Sequence, residues 1–185
     1  MHSRNWISGC LPLAMCAGIL LSGCAEDESL LRAKQVENPH ELIGGPLAHG
    51  EVGDYLIEND QVRFIISGAH HSWGPGLLGG TVVDADLRRS EPEFRGGRGK
   101  DQFSELFPTV NLLVADPSIS EIRVLSDGKD GKEAAIEVTG RGSFYIDAMS
   151  FLDVTKETSY SFFLQSQNLM AILDFATVYR LVPGT

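Results

Sequence analysis

Cysteine is scarce in this chain of 185 residues and is confined to its beginning. The three cysteines are Cys10, Cys16 and Cys24, and none follows them. An intrachain disulfide, a thiol nucleophile and a metal site built from several cysteines are therefore excluded from everything after residue 24.

Basic side chains are also few. Lysine and arginine together number 15 against 25 aspartates and glutamates, and the net charge is −10 at pH 7. An acidic surface repels the phosphates of nucleic acids and of anionic lipid surfaces. The composition therefore predicts no nucleic-acid partner.

The apolar run that opens the chain, Ile7 to Leu21, is too short to span a membrane. A spanning helix needs roughly 20 apolar residues, and Pro12 interrupts this run. Arg4 is the only fully charged side chain before Glu26. A short apolar core after a basic residue is typical of a cleaved signal peptide.

The run ends in small residues, in the order Leu21-Ser22-Gly23-Cys24. All four positions resemble the lipobox of bacterial lipoproteins. In that family the cysteine thiol receives a diacylglycerol, the peptide bond before it is cut, and the new amino terminus is often acylated. The resemblance implies a signal peptide over residues 1–23, a lipid anchor on Cys24 and a place in the cell envelope. The alternative is an ordinary secretory signal with a chance cysteine.

Residues 24–50 are predicted to form a lipid-anchored tether and a lead-in to the domain. Ala25 stands where an aspartate retains lipoproteins in the inner membrane of enteric bacteria, so the resemblance favours the outer membrane. The acidic run Glu26-Asp27-Glu28 is typical of a solvated tether. A short helix is predicted over Glu28 to Val36, ended by Asn38-Pro39, because a residue before proline disfavours helix.

Removal of residues 1–23 leaves 162 residues with 14 basic and 25 acidic side chains, a net charge of −11. That length suffices for one domain with a sizeable core. Short strands separated by turns predict that residues 51–185 form an all-β domain, mainly an antiparallel β-sandwich. Residues 88–102 are predicted to be an exposed loop, and residues 143–170 fit either strand or helix.

Two hairpins are the clearest elements of this domain. Tyr55–Ile57 and Gln61–Ser67 flank a Glu58-Asn59-Asp60 turn. SEIRVLS and EAAIEVTGRG are joined by DGKDGK, whose two Asp-Gly pairs are turn signals. Inward-facing residues of the second hairpin are predicted to be Ile122, Val124, Ile136 and Val138. Further strands are predicted over residues 81–87, 109–115 and 171–182.

The order of these strands is similar to the opening of sugar-mutarotase-like β-supersandwich domains. The similarity rests on Asn59-Asp60-Gln61-Val62 entering one strand and on Gly79-Gly80 turning into the next. Such modules precede metallohydrolase domains in some large secreted bacterial lipoproteins. The resemblance carries over no catalytic residue. Because TVYRLVPGT reads as a strand and the turn after it, we expect the chain to be a fragment or to be shortened relative to longer relatives.

His70-His71-Ser72-Trp73 is the most conspicuous group of polar and aromatic residues. The histidines could bind a transition metal, and Trp73 could stack on a sugar ring. Two ligands are too few for a structural zinc site, which needs four. Asp84 and Asp86 share one face of a strand and, without a partner, would repel or raise one another's pKa. The alternative is a glycine-rich surface loop with solvated histidines.

No cofactor, metal or catalytic residue is predicted, since the chain has neither Gly-x-Ser-x-Gly nor a phosphate-binding glycine motif. The DGKDG segment lacks the alternating acids of a calcium loop. The sequence favours a lipid-anchored binding or scaffolding domain, with a carbohydrate or envelope protein as its partner. The alternative is an accessory module or fragment of a carbohydrate-active enzyme or metallohydrolase.

Overall fold

The computed structural model describes residues 30–69, 79–109, 113–116, 121–144 and 173–184. Within these ranges the chain forms strands and two short 3₁₀ turns, and no helix is long and apolar enough to cross a membrane. The predicted all-β class is confirmed. The strands are β1 (Arg32–Gln35), β2 (Tyr55–Glu58), β3 (Val62–Ile66), β4 (Val82–Leu87), β5 (Leu113–Asp116), β6 (Ile122–Asp127), β7 (Ala134–Phe144) and β8 (Asp174–Leu181), and the 3₁₀ turns are Pro39–Glu41 and Pro92–Phe94.

The first hairpin joins β2 to β3, as predicted. The Asn59 side chain makes its turn, because Oδ1 accepts the backbone N–H of Gln61 and of Val62, each at 2.9 Å. This local acceptor satisfies two donors that the ladder leaves unpaired at the turn. Glu58 and Arg63 are consequently opposite each other at the end of the hairpin.

The first sheet has the strand order β1-β2-β3-β4, and every pair is antiparallel. The helix predicted over residues 28–36 is wrong where the structure describes it, because β1 is a strand. Leu31 and Ala33 are buried on either side of exposed Arg32, a period of two. Pairing with β2 and burial of this alternating face outweigh a weak helix preference. The fold therefore begins before residue 51, within the predicted lead-in.

The second sheet is built on β7, the longest strand. β7 pairs with β6, β5 and β8, all antiparallel. The predicted hairpin of β6 and β7 is confirmed, and Gly128 and Gly131 both take positive φ in its turn. β8 confirms the strand predicted at residues 171–182. β5 covers part of the strand predicted at 109–115, and residues 145–172, with most of the ambiguous segment, lie outside the described ranges.

The two sheets share one hydrophobic core, which makes the fold a sandwich. Its buried residues come from both sheets, including the predicted Ile136 and Val138, with Ile122 and Val124 packed at its margin. Hydrogen bonds from two tyrosines join the sheets. Tyr55 Oη donates to the carbonyl of Ile122 at 3.1 Å, and Tyr179 Oη donates to the carbonyl of Gly80 at 2.8 Å. The buried residues of this core are Leu31, Ala33, Ile57, Ile66, Val82, Ala134, Ile136 and Val138.

The outer face of the first sheet carries a second, smaller core, in which Ile43 covers Leu56, Ile65 and Val83. The segments that contain Ile43 and Gly99 are joined next to this core, because the N–H of Gly99 donates to the carbonyl of Ile43 at 2.8 Å. Asp101 is fully buried in this layer. The loop predicted to be exposed over residues 88–102 is exposed or half-buried along most of its length, but its C-terminal end is held to the sheet, where Asp101 is buried, and the prediction is wrong there.

Candidate functional site

Four charged residues of alternating sign lie side by side across the first sheet. Each strand supplies one of them, in the order Arg32, Glu58, Arg63 and Asp86, and each is the register partner of the next. Side chains directly opposite on neighbouring strands share a face and lie close enough to interact. The strand pairing therefore brings arginine and carboxylate groups together at one end of the outer face.

Glu58 is the centre of this group, and its side chain is 1 % exposed. Oε1 accepts a hydrogen bond from Arg32 Nη2. Oε2 lies 2.9 Å from Nε of Arg63 and 2.7 Å from Nη1 of Arg88. One carboxylate thus holds three guanidinium groups. A buried carboxylate is stable only when it is paired in this way.

Backbone contacts fix the arginines that surround Glu58. Arg88 follows β4 directly, and its N–H donates to the carbonyl of Gln61 at 2.7 Å. Arg63 Nη2 donates to the carbonyl of Glu41 at 3.0 Å. The Lys34 ammonium, 2.8 Å from the carboxylate of Glu41, lowers the pKa of that carboxyl group. The contact with Glu41 restrains the guanidinium group of Arg63, and the backbone hydrogen bond to Gln61 fixes the main chain of Arg88.

A cleft of about 580 Å³ opens over this group, and we call it the arginine cleft. Five arginines and three carboxylates line it, so that its net charge is +2 with His40 neutral, whereas the whole chain carries −10. The charged residues that line it are Arg32, Arg63, Arg88, Arg89, Arg95, Glu58, Asp60 and Asp86. The cleft is a positive region in an acidic protein.

Asp86, one of the residues predicted from the sequence, belongs to the arginine cleft. Burial alone would raise the pKa of its carboxyl group, but hydrogen bonds from the Arg89 side chain and from the N–H groups of Lys100 and Leu87 lower it. Arg89 and Lys100 also lie over the Phe94 ring, 5.2 and 4.6 Å from its centroid. Asp86 therefore stays ionised and, with Phe94, restrains Arg89.

Asp84, the second predicted carboxylate, lies outside the arginine cleft and is fully buried. Its Oδ1 accepts the N–H of His49 at 2.7 Å, and both oxygens accept the N–H of Gly50. Burial raises the pKa of this carboxyl group, with a smaller contribution from the charge of Asp101. Asp84 fixes the backbone at His49 and Gly50 onto β4.

The remaining predicted site residues, His70, His71 and Trp73, lie outside the described residues. Two other histidines lie in the described ranges, His40 in the lining of the arginine cleft and His49 with its backbone N–H bonded to Asp84. Within the described part of the chain, no three His, Cys, Asp or Glu residues are grouped to hold a metal ion.

The arginine cleft was missed by sequence reasoning, although part of its signal is visible there. Arg63 lies in the second predicted strand of the first hairpin, but the sequence predicts Glu58 in the turn, whereas the structure places it at the end of β2 opposite Arg63. Arg32 was assigned to a helix, and Arg88 to an exposed loop. The convergence of both on Glu58 follows from strand pairing that is not local in sequence.

Comparison of the chain with protein-family models, with curated proteins and with solved structures found no match.

Proposed function

We propose that the chain is a lipid-anchored protein of the cell envelope whose β domain binds a small anionic ligand without transforming it. The observation that carries the proposal is the arginine cleft, where three guanidinium groups share one buried carboxylate. Guanidinium groups present a planar fork of donors that matches carboxylate, phosphate and sulfate oxygens. The ligand is therefore an oxyanion.

The size and position of the arginine cleft support this role. Ligand pockets commonly measure about 300–1,000 Å³, and the arginine cleft falls within that range at about 580 Å³. Its arginines come from β1, β3 and the segment after β4, so the sheet holds them in place. Groups held before binding lose less conformational entropy when a ligand arrives.

Attachment to the membrane is supported by Leu21-Ser22-Gly23-Cys24. Two or three acyl chains give stable anchoring, whereas one gives only marginal binding. Cys24→Ala should abolish metabolic labelling of the protein with a radioactive fatty acid and release it from the membrane fraction. Labelling that persists in this variant would refute the anchor and leave the arginine cleft to be tested separately.

Binding is tested by isothermal titration calorimetry on the full chain in a non-ionic detergent, with phosphate, sulfate and citrate as probes. We expect at least one of them to bind. Arg88→Gln should then weaken binding about tenfold or more, because a hydrogen bond to a charged group contributes about 1.5–3 kcal/mol. Arg123→Gln is the matched control, since Arg123 pairs with Glu137 on the second sheet. Equal affinity in both variants, or no binding of any probe, would contradict the proposal.

A further inference from the structure

We infer that the arginine cleft selects a phosphomonoester in its dianionic form. The inference rests on the proposed function and names the ligand class of the same site. Arg32, Arg63 and Arg88 carry three positive charges, and Glu58 neutralises one of them. The group that touches Glu58 thus keeps two positive charges, which a terminal phosphate dianion would balance.

The hydrogen-bonding capacity of this group points to the same ligand. A guanidinium has five N–H donors, whereas a carboxylate has about four lone-pair sites. Glu58 alone therefore cannot saturate three guanidinium groups. A terminal phosphate brings three further acceptor oxygens and can contact more than one arginine at once.

The exposure of these side chains shows where an incoming anion would meet them. Glu58 is 1 % exposed, whereas Arg63, Arg88 and Arg32 are 15 %, 29 % and 48 % exposed. The carboxylate lies beneath the arginines, and the guanidinium groups reach solvent. An anion that enters the arginine cleft meets the arginines first, with the Glu58 charge partly screened by them.

The charge of the whole protein limits the size of the ligand. The whole chain carries −10, so the residues outside the arginine cleft, which is +2, sum to −12, and a long polyanion that extended beyond the cleft would be repelled. A small molecule with one terminal phosphate places its charge only where the cleft is positive. A phosphodiester has a single negative charge per group and would leave one positive charge unbalanced.

The test compares three ligands of nearly equal size, namely methyl phosphate, methyl sulfate and dimethyl phosphate, by calorimetry on the full chain in non-ionic detergent at pH 8. The second pKa of a phosphate ester is about 6, so methyl phosphate is a dianion there and the other two are monoanions. We expect methyl phosphate to bind about tenfold more tightly or better, because one additional charge is attracted at contact distance. Arg88→Gln should reduce this preference, and Arg123→Gln should leave it unchanged.

The outcomes separate the inference from the proposed function. Equal affinity for methyl phosphate and methyl sulfate would overturn the inference while the arginine cleft remained an anion site. Failure of all three ligands, together with phosphate, sulfate and citrate, would overturn both.

A further arm distinguishes the two sources of a phosphomonoester, a soluble metabolite and a lipid headgroup. Phosphatidylcholine vesicles with and without phosphatidic acid serve as the lipid probe for the Cys24→Ala protein. Cosedimentation that requires phosphatidic acid and is displaced by methyl phosphate assigns the lipid source. Binding of methyl phosphate without cosedimentation assigns the soluble source. Cosedimentation that methyl phosphate cannot displace would count against the arginine cleft as the phosphate site.

Discussion

Arg88, the first residue after β4, places its Nη1 atom 2.7 Å from Oε2 of Glu58 on β2, although β3 lies between the two strands. Arg63, on that intervening strand, donates to the same oxygen at 2.9 Å. Oε2 of Glu58 therefore links the ends of β2, β3 and β4 through the side chains of Arg63 and Arg88. The same contact that organises the arginine cleft also contributes to the stability of the first sheet.

Replacement of Glu58 by glutamine should lower the free energy of unfolding by about 3 kcal/mol, near the lower limit for removing one partner of a buried ion pair. The lower limit applies because the three arginines are partly exposed, so that water can solvate their charges once the Glu58 carboxylate is removed. Urea denaturation of the purified protein measures the change. Glu133→Gln is the matched control, because Glu133 is 38 % exposed in its pair with Arg180 and should contribute less than about 1 kcal/mol. Equal losses in the two variants would contradict the central role of Glu58.

Asp86 should stabilise the fold above acidic pH and lose this effect in acid. Its pKa is lowered from the ordinary 3.8, so the folded state binds fewer protons than the unfolded state between the two pKa values. The difference in unfolding free energy between the wild type and Asp86→Asn should be at its maximum above pH 3.8. It should decrease as the pH falls through the pKa of Asp86 in the folded state. Urea titrations from pH 2.5 to 7 measure it. A difference that is independent of pH would count against the Arg89 and Lys100 contacts.

Asp84 should show the opposite dependence, although it lies two residues away on the same strand. Its pKa is raised from 3.8 because it is buried, so the folded state holds its proton to higher pH than the unfolded state does. Its contribution is fully present below pH 3.8 and is lost as the pH rises through the folded pKa. The difference between the wild type and Asp84→Asn should therefore decrease with rising pH. An increase would mean that the hydrogen bonds from His49 and Gly50 outweigh burial.

Gly128 should not tolerate a side chain, because its turn lies against β1. Its φ is +84°, and an added Cβ would lie 2.4 Å from the carbonyl oxygen of Leu31. Gly128→Ala should lower the free energy of unfolding by about 2 kcal/mol or more through strain and displacement of the turn. Gly184→Ala is the control for backbone strain alone, because Gly184 has a φ of +71° and no atom lies within 4 Å of the added Cβ. Thermal unfolding should show a larger loss of stability for Gly128→Ala than for Gly184→Ala. Equal losses would mean that the turn does not contact the chain next to β1.

Local patterns predicted much of this fold. Asn59 identified the first turn and the Asp-Gly pairs the second, and the inward positions of Ile136 and Val138 followed from alternation along β7. Each of these features depends on neighbours in sequence. The helix predicted at Leu31 and Ala33 is wrong because so short a segment, with two buried residues, fits both the helical period of about 3.6 residues and the strand period of two. Pairing with β2 makes it a strand.

The candidate site could be predicted only in part. Asp86 was chosen from its strand position, but its neighbour Asp84 supports a loop instead. The hairpin prediction includes both Glu58 and Arg63, but it assigns Glu58 to the turn, and only the observed register places it opposite Arg63. The positions of Arg32 and Arg88 depend on β1 and on the end of β4, which no local pattern joins. Sites assembled from several strand ends are for this reason the hardest to read from a single sequence.

In the proposed function, the arginines around Glu58 bind an anion directly. Nuclear magnetic resonance of the arginine Nε–Hε groups during a titration with methyl phosphate tests it, with signals assigned by single Arg→Gln variants. We expect the signals of Arg63 and Arg88 to shift together and saturate with one dissociation constant, while the signal of Arg123 stays in place. No shift at Arg63 and Arg88, or an equal shift at Arg123, would contradict it.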